Sequence, residues 1–586
     1  MTHRIQNLCS AGLECVFTPG DQLLLSSLVD RTNGKPLLAR EMPFCVTAGL
    51  QPLIFEAEAV PAGQEGKAAR FSASGSDLSL DLQVVLDGQR LAWQLDGQGQ
   101  PQEIELRFPF VSALDMNGAQ AGARHEIAAQ NAPHYLDQKD IFRELDYPLP
   151  LVWLGENERT LTFIIHQAYG EPVYSPDRLW TSGINRSLTP EKQKLFSGEL
   201  ILHAGGLQEA FAQYRSRIRD QYDLSQYQRP DLKWTQNVIL QHFTFLYGRE
   251  ILDLDTGVFN IDRLLAEAEC SFGGYDSLVL WGGYPRLGID ERSQWDYYDD
   301  LPGGRPALRE LGARAHARGV RIFLPYLPWE RSGELHGQPA EPHELELARL
   351  VQDLNADGVF LDCMAAIRDE FREAFDQAKA GVQICSEGRA KGQALQVITA
   401  SWEQSQSRDW IQGNWSASKE KMPGVDLWRF IFPEHRLFVI SRFTTADDRK
   451  RIIRRGFFNG MGWVVWQDVF GLALPFTPDE AALLKKCRTI LRDHHRAVWG
   501  SQPTPLVPVL QPGVCCNEFQ GERERLWTFY NSTTERVEGP LLPLVRRPGF
   551  QYRNVWADQE IQWEDSDCLP LSLDPLDCGA VAELPE

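Results

Sequence analysis

The sequence predicts a three-part protein built around a (β/α)8 TIM barrel, with a β-sandwich domain before it and a small β-domain after it. Three observations predict this. Residues 1 to 228 carry short alternating runs, "LSLDLQVVL", "LAWQLDG", "EIELRFPF", "RTLTFIIHQ" and "GELILHA", separated by Gly, Asp, Asn and Pro. That period of two describes antiparallel strands with one buried face. From Trp234 the rhythm changes, and apolar runs alternate with helical patterns about eight times over roughly 270 residues, the size of a (β/α)8 barrel. Beyond residue 500 short strands such as "RLWTFYNST" return. The domain ranges are 1–228, 229–500 and 501–586.

In the barrel the strands read, in order, as "NVILQHFTF", "SLVLWGGYP", "RIFLPYLPW", "GVFLDCM", "VQICSEG", "DWIQGNW", "RLFVISR" and "GWVVWQDVFG". Between them lie helical patterns. Leu347, Leu350, Val351 and Leu354 fall on one face of "HELELARLVQDLNAD". Ile367, Phe371, Ala374, Phe375 and Ala378 fall on one face of the next. "KGQALQVITASWEQ" reads as the helix after the fifth strand, and "DDRKRIIRRGFFN" as the one after the seventh. An open doubly wound sheet is the competing architecture, and the absence of a glycine-rich phosphate loop after the first strand weighs against it.

The bulk numbers narrow the function classes. With 59 basic and 80 acidic residues the net charge is −21, which argues against nucleic acid and anionic membrane surfaces as partners and leaves neutral small molecules. The first twenty residues show no secretory leader, and no apolar run approaches 18 residues. Eleven cysteines without a CxxC pair read as reduced thiols, so a cytoplasmic location is expected.

The chemistry lies at the ends of the strands, where barrel active sites are built. Asp362 ends the fourth apolar run and Glu387 ends the fifth. Adjacent strands lie about 4.8 Å apart, so two tip carboxylates can face each other across the roughly 5 Å that a retaining glycosidase needs. In that arrangement Asp362 attacks the anomeric carbon and stays ionised. Glu387, its pKa raised by burial and by the neighbouring charge, protonates the leaving oxygen. Arg389 and Arg442 could instead pair with these acids, or bind a substrate hydroxyl. Aromatics at predicted strand ends, among them Trp281, Trp295, Trp329, Trp415 and Trp466, could pack on sugar rings or simply fill the core. In the loop "ERSQWDYYDDLPGG", Asp299 and Asp300 could bind hydroxyls, hold a cation or cap the following helix. Asp468 after the eighth strand and His242 on the first could fix hydroxyls, and His242 could equally be a core histidine. No HxH or HExxH occurs, so no metal is expected, and the mechanism requires no cofactor.

At these residues the chain resembles the retaining α-glycosidases of the broad α-amylase-like group, in which an Asp after strand four is the nucleophile and a Glu after strand five the acid/base. "FLDCM" and "CSEG" match that pair. The order of sandwich, barrel and β-domain is also similar to endo-α-N-acetylgalactosaminidase-like enzymes and to α-glucosidases and α-galactosidases of related barrels. The resemblance covers roughly 234 to 500 and implies a glycoside hydrolase acting on an α-linked neutral or N-acetylated sugar. The chain departs from the α-amylases at Phe360, where that family has an Arg two residues before its nucleophile, which turns the expectation away from starch. In the α-galactosidase barrels the acid is an Asp after strand six, which would point to Asp409, with Asp426 as a further acid. A transglycosylase on the same scaffold and a non-catalytic carbohydrate-binding barrel are the alternatives.

Overall fold

The structure is a computed structural model of the chain. It describes residues 5–108 (apart from 21, 39–40, 49–53, 76 and 102), 152–165 (apart from 157–158), 182–282 (apart from 206), 292–330, 341–403 (apart from 391), 425–440, 446–466, 475–500 and 503–586 (apart from 562 and 564–566). The chain divides into two compact units, Met1–Tyr214 and Arg215–Glu586.

The first unit is the expected β-sandwich. One sheet runs in the order Gln6–Cys9, Leu13–Thr18, Leu23–Asp30, Met42–Ala48, Glu103–Phe108 and Ser182–Ser187. The other runs Val152–Glu156, Arg159–Ile165, Gln193–His203, Arg90–Gly99, Leu78–Asp87, Ala68–Ser74 and Glu56–Glu58. Burial alternates along Leu78–Asp87 as the period of two predicts. The two inner faces share one core: Phe44 of the first sheet meets Trp93 of the second edge-on at 5.3 Å, and Phe17 lies 5.7 Å from Phe71.

The second unit holds a closed barrel of eight parallel strands: β1 (Leu240–Phe245), β2 (Ser277–Trp281), β3 (Arg321–Tyr326), β4 (Gly358–Leu361), β5 (Gln383–Glu387), β6 (Ala400–Glu403), β7 (Arg436–Ile440) and β8 (Gly462–Val465). Helices α1 (Ile261–Phe272), α2 (Gly304–Ala317), α3 (His343–Asp353), α4 (Asp369–Ala378), α5 (Leu427–Ile431), α6 (Ala446–Phe458) and α7 (Pro478–Asp493) follow in chain order. The same unit carries a five-stranded antiparallel sheet, centred on Arg525–Asn531 and Cys578–Pro585, and a pair formed by Val537–Pro543 and Cys568–Leu573. Among the described residues no helix is long and apolar enough to cross a membrane.

Seven of the eight expected strands lie where the apolar runs placed them. The sixth does not. It is Ala400–Glu403, inside the stretch read as a helix, and "DWIQGNW" falls outside the described residues. A short 3-10 turn, Gly392–Gln396, takes the place of that helix. Every residue of β6 is buried, so it shows no periodicity, and by pattern alone such a strand cannot be told from buried helix. The β-branched run Val397, Ile398, Thr399 was the local signal for extended chain.

Alternate residues of a barrel strand face its interior. Here those rows contain Phe243, Val279, Trp281, Phe323, Phe360, Cys385, Trp402, Phe438, Val464 and Trp466, which form one cluster. Asp362 comes two residues after Phe360 and Glu387 two after Cys385. Both acids therefore continue inward-facing rows at the C-terminal end of the barrel. The packing below them is tight enough to require glycine at Gly358, where a Cβ would sit 2.3 Å from the Phe323 ring. Gly358→Ala is expected to destabilise the unit by about 1–3 kcal/mol through overpacking. Urea unfolding should show a lower midpoint at unchanged slope, and an unchanged midpoint would contradict this packing.

Candidate active site

Asp362 is only 7% exposed, at the first position beyond β4. Its backbone N–H donates to the Tyr326 carbonyl at 3.0 Å, which continues the β3–β4 ladder by one residue and orients the side chain. Glu387 is the last residue of β5 and is half-buried. Its Oε2 accepts the backbone N–H of Cys363 at 2.7 Å. Cys363 adopts φ +55°, a left-handed conformation uncommon for a residue with a Cβ, and this turn aims the N–H at Glu387. One ligand atom from each of Asp362, Cys363 and Glu387 lies within 4.8 Å of the others. The two carboxylates are therefore brought together, as the strand-tip reading expected.

Trp329, just beyond β3, is the third member of the group. Its indole N–H donates to Asp362 Oδ2 at 2.6 Å, while 42% of the residue remains exposed. The loop that carries it is clamped by Gln294, whose amide exchanges two hydrogen bonds with the Leu327 backbone at 2.8 and 2.9 Å, and whose N–H donates to buried Glu330 at 2.8 Å. The sequence shows no signal for this clamp, because it joins loops far apart in the chain. Below the pair the barrel interior is aromatic. Phe360 stacks on Trp402 with ring centroids 3.8 Å apart, and Phe243 stacks on Trp466 at 4.6 Å.

These surroundings set the electrostatics. Burial, the Glu387 charge and a hydrogen bond shared with Glu387 push the Asp362 carboxyl up to about 7, against the Trp329 and Cys363 hydrogen bonds, which lower it. Two carboxyls that share a hydrogen bond must hold a proton between them, and they titrate as a unit. The raised value therefore belongs to the pair, which holds one proton near neutrality in the free protein. Its largest cause is the burial of Asp362. The Cys363 thiol is likewise pushed up to about 12, by burial and then by the two carboxylates.

No family model matches the chain, and no curated protein matches it. Solved structures do. The galactosidase domain of the α-galactosidase-sucrose kinase AgaSK is 11% identical, with a TM-score of 0.46, covering 100% of this chain and 99% of that one. The α-galactosidase AgaA of Geobacillus stearothermophilus is 11% identical, with a TM-score of 0.44, covering 99% and 100%. An Anoxybacillus α-amylase is 13% identical, with a TM-score of 0.41, covering 60% of this chain and 99% of that one. None of these likenesses identifies a residue of this chain.

Several sequence-predicted residues stand elsewhere. His242 is fully buried and has the opposite parity to inward-facing Phe243; its ring stacks on Tyr275 at 4.5 Å, with Nε2 2.9 Å from Glu250. It is a core histidine behind the barrel wall. Trp281 and Trp466 are buried in the barrel interior, where they fill space rather than offer a free face. Trp295 stacks on Tyr326 at 6.2 Å, beside a cleft of about 650 Å³ whose lining includes Tyr326, His343, Met364 and Phe371 but neither carboxylate. Asp300 pairs with Arg292, and Asp299 with Arg305 at 3.0 Å in the first turn of α2, so both acids already have cationic partners.

Arg389 does not reach toward the carboxylate pair. It is buried against Asp426 and lies 3.7 Å from Glu403, while Arg455 holds Glu403 at 2.6 Å and Asp426 at 3.3 Å. Asp426 also caps α5 through the Arg429 N–H. This neutral buried quartet removes Asp426 as a reserve acid. The carboxylate at the tip of β6 is Glu403, locked within the quartet. Asp409, Trp415, Arg442 and Asp468 lie outside the described residues.

A carboxyl raised in the folded state binds a proton that the unfolded chain has already lost. Stability should therefore fall as pH rises from about 4 to about 7 and carry the full penalty above that, roughly 2–4 kcal/mol. Asp362→Asn, or Glu387→Gln through the lost repulsion, should raise the melting temperature most at about pH 8 and least at about pH 4. A gain independent of pH would show that the pair is not held as described.

Proposed function

We propose that this chain is a glycoside hydrolase that cleaves an α-linked sugar from an oligosaccharide or glycoconjugate with retention of configuration. The observation that carries the proposal is the desolvated Asp362–Glu387 pair at the open end of the barrel, with oxygens within 4.8 Å. An inverting enzyme needs about 6.5–9.5 Å between its carboxyl groups to admit a water, and the double-displacement geometry is the shorter one, about 5–5.5 Å. Exposed Trp329, hydrogen-bonded to Asp362, supplies an aromatic surface beside the reacting carbon. The α-linkage follows from the resemblance of "FLDCM" and "CSEG" to the α-amylase-like pair.

In this mechanism Asp362 attacks the anomeric carbon through Oδ1, since Oδ2 accepts the Trp329 N–H. The leaving oxygen takes the one proton that the pair holds, delivered by Glu387, the longer and more exposed side chain. Glu387 then removes a proton from water, which opens the glycosyl ester and returns the pair to its starting state. The raised pKa of Asp362 favours a second assignment, in which Asp362 is the acid and Glu387 the nucleophile. A transglycosylase would use the same steps with a sugar hydroxyl in place of water. We place the enzyme in the cytoplasm on its cysteine pattern.

With aryl α-glycosides as substrates, Asp362→Ala and Glu387→Ala should each lower kcat by roughly three orders of magnitude. A fluorinated glycosyl fluoride should leave an ester that peptide mapping places on Asp362; an ester on Glu387 would support the reversed roles. Wild-type turnover in either alanine variant would refute the proposal. Wild-type kcat/KM should decline as pH rises through about 7, when the shared proton is lost.

A further inference from the structure

Behind Glu387 runs a line of buried polar side chains that the reaction does not use. Ser386 lies on β5 with the opposite parity to Cys385 and Glu387, and Ser401 stands beside it in register on β6. His435 immediately precedes β7, and Tyr227 lies in the 3-10 turn Ser225–Gln228. Ser386, Ser401 and His435 are fully buried. Four contacts join them. Tyr227 Oη is 2.8 Å from His435 Nδ1, His435 Nε2 is 2.8 Å from Ser401 Oγ, Ser401 Oγ is 2.8 Å from Ser386 Oγ, and Ser386 Oγ is 2.7 Å from the Gly388 carbonyl oxygen.

If each of the four short contacts is a hydrogen bond, counting protons gives all of them one direction. A carbonyl only accepts, so Ser386 donates to Gly388. Its one proton is then used, and Ser401 must donate to Ser386. With that proton used, His435 Nε2–H must donate to Ser401, which leaves Nδ1 bare to accept from Tyr227. The Ala390 N–H, which donates to Ser401 Oγ at 3.0 Å, agrees with that oxygen's accepting role. If Tyr227 instead donates to the Ile398 carbonyl at 3.1 Å, the proton moves to Nδ1 and one of the short serine contacts loses its hydrogen. Burial, and then Arg436 and Arg389, hold the His435 pKa well below its ordinary value, so the ring is neutral.

The chain ends on the turn that carries Glu387. Gly388 has φ +88°, its N–H donates to the Trp402 carbonyl at 3.0 Å, and its carbonyl takes the Ser386 proton. We infer that His435 is a positioning residue, held as the neutral Nε2–H tautomer, and that the proton-ordered chain from Tyr227 to the Gly388 carbonyl aims the Glu387 carboxylate. The effect on turnover rests on the glycosidase proposal; the tautomer and the aim do not.

The test uses the full chain with 15N-labelled histidine, taking the resonance lost in His435→Gln as that of His435. A neutral ring with protonated Nε2 and bare Nδ1, unchanged from about pH 5 to about pH 9, is expected. The Cys363 amide proton, which bonds Glu387, should shift in His435→Leu and in Ser386→Ala. It should stay in place in His435→Gln, whose amide can accept from Tyr227 and donate to Ser401. With an aryl α-glycoside, the same two disruptive variants should lose about tenfold or more in kcat at nearly unchanged KM, while the glutamine variant stays within about threefold. An Nδ1–H tautomer or an imidazolium would overturn the chain, as would equal behaviour of the glutamine and leucine variants. If Ser386→Ala leaves the Cys363 amide unmoved, the aiming role fails. A wild type without glycosidase activity would refute the functional proposal alone, because the tautomer and the amide shift would still decide this one.

Discussion

Keeping two carboxyls side by side above an aromatic interior is costly, and the rest of the site is arranged around that cost. Charge on Asp362 is opposed by burial over Phe360 and Trp402 and by Glu387 itself. In water the two acids would separate and both ionise. Here the backbone prevents separation. The Asp362 N–H is tied to Tyr326, the Cys363 N–H holds Glu387, and adjacent parallel strands fix the spacing. A shared proton is what remains, and a proton held near neutrality is what general acid catalysis requires.

The supporting groups divide by distance from the pair. Trp329 touches it directly, lowering the cost of charge on Asp362 while offering an exposed ring. The Gln294 clamp holds the loop that carries Trp329. The serine–histidine chain and the Arg389–Asp426–Arg455–Glu403 quartet hold the segment that follows Glu387. Both outer groups are largely buried, and their members pair mainly with one another. They also explain why acids at neighbouring strand ends are not interchangeable. Glu403 and Asp426 each face two arginines, whereas Asp362 has burial and another acid for neighbours.

Much of this was legible in the sequence. Seven barrel strands and the sandwich follow from apolar runs and from alternation, and Asp362 and Glu387 from their place at the ends of such runs. The sixth strand was missed because a fully buried strand has no periodicity, and the helical reading of "KGQALQVITASWEQ" absorbed it. Trp281 and Trp466 read as mouth residues because their strands end there, whereas His242 lies within its strand, three residues before its end. Whether such a residue faces solvent, the barrel interior or the surrounding helices depends on parity and depth, and a one-residue shift in register reverses the answer.

The sequence by itself determined that this chain builds a barrel and that two successive strands each end on an acid, because those facts depend on local apolar patterning. Only the tertiary structure decided how those acids ionise, which arginines they avoid and which tryptophan they meet. Those outcomes come from through-space proximity among β3, β4, β5 and loops distant in the chain. Their strength is set by how much water the fold removes, and no linear pattern records that.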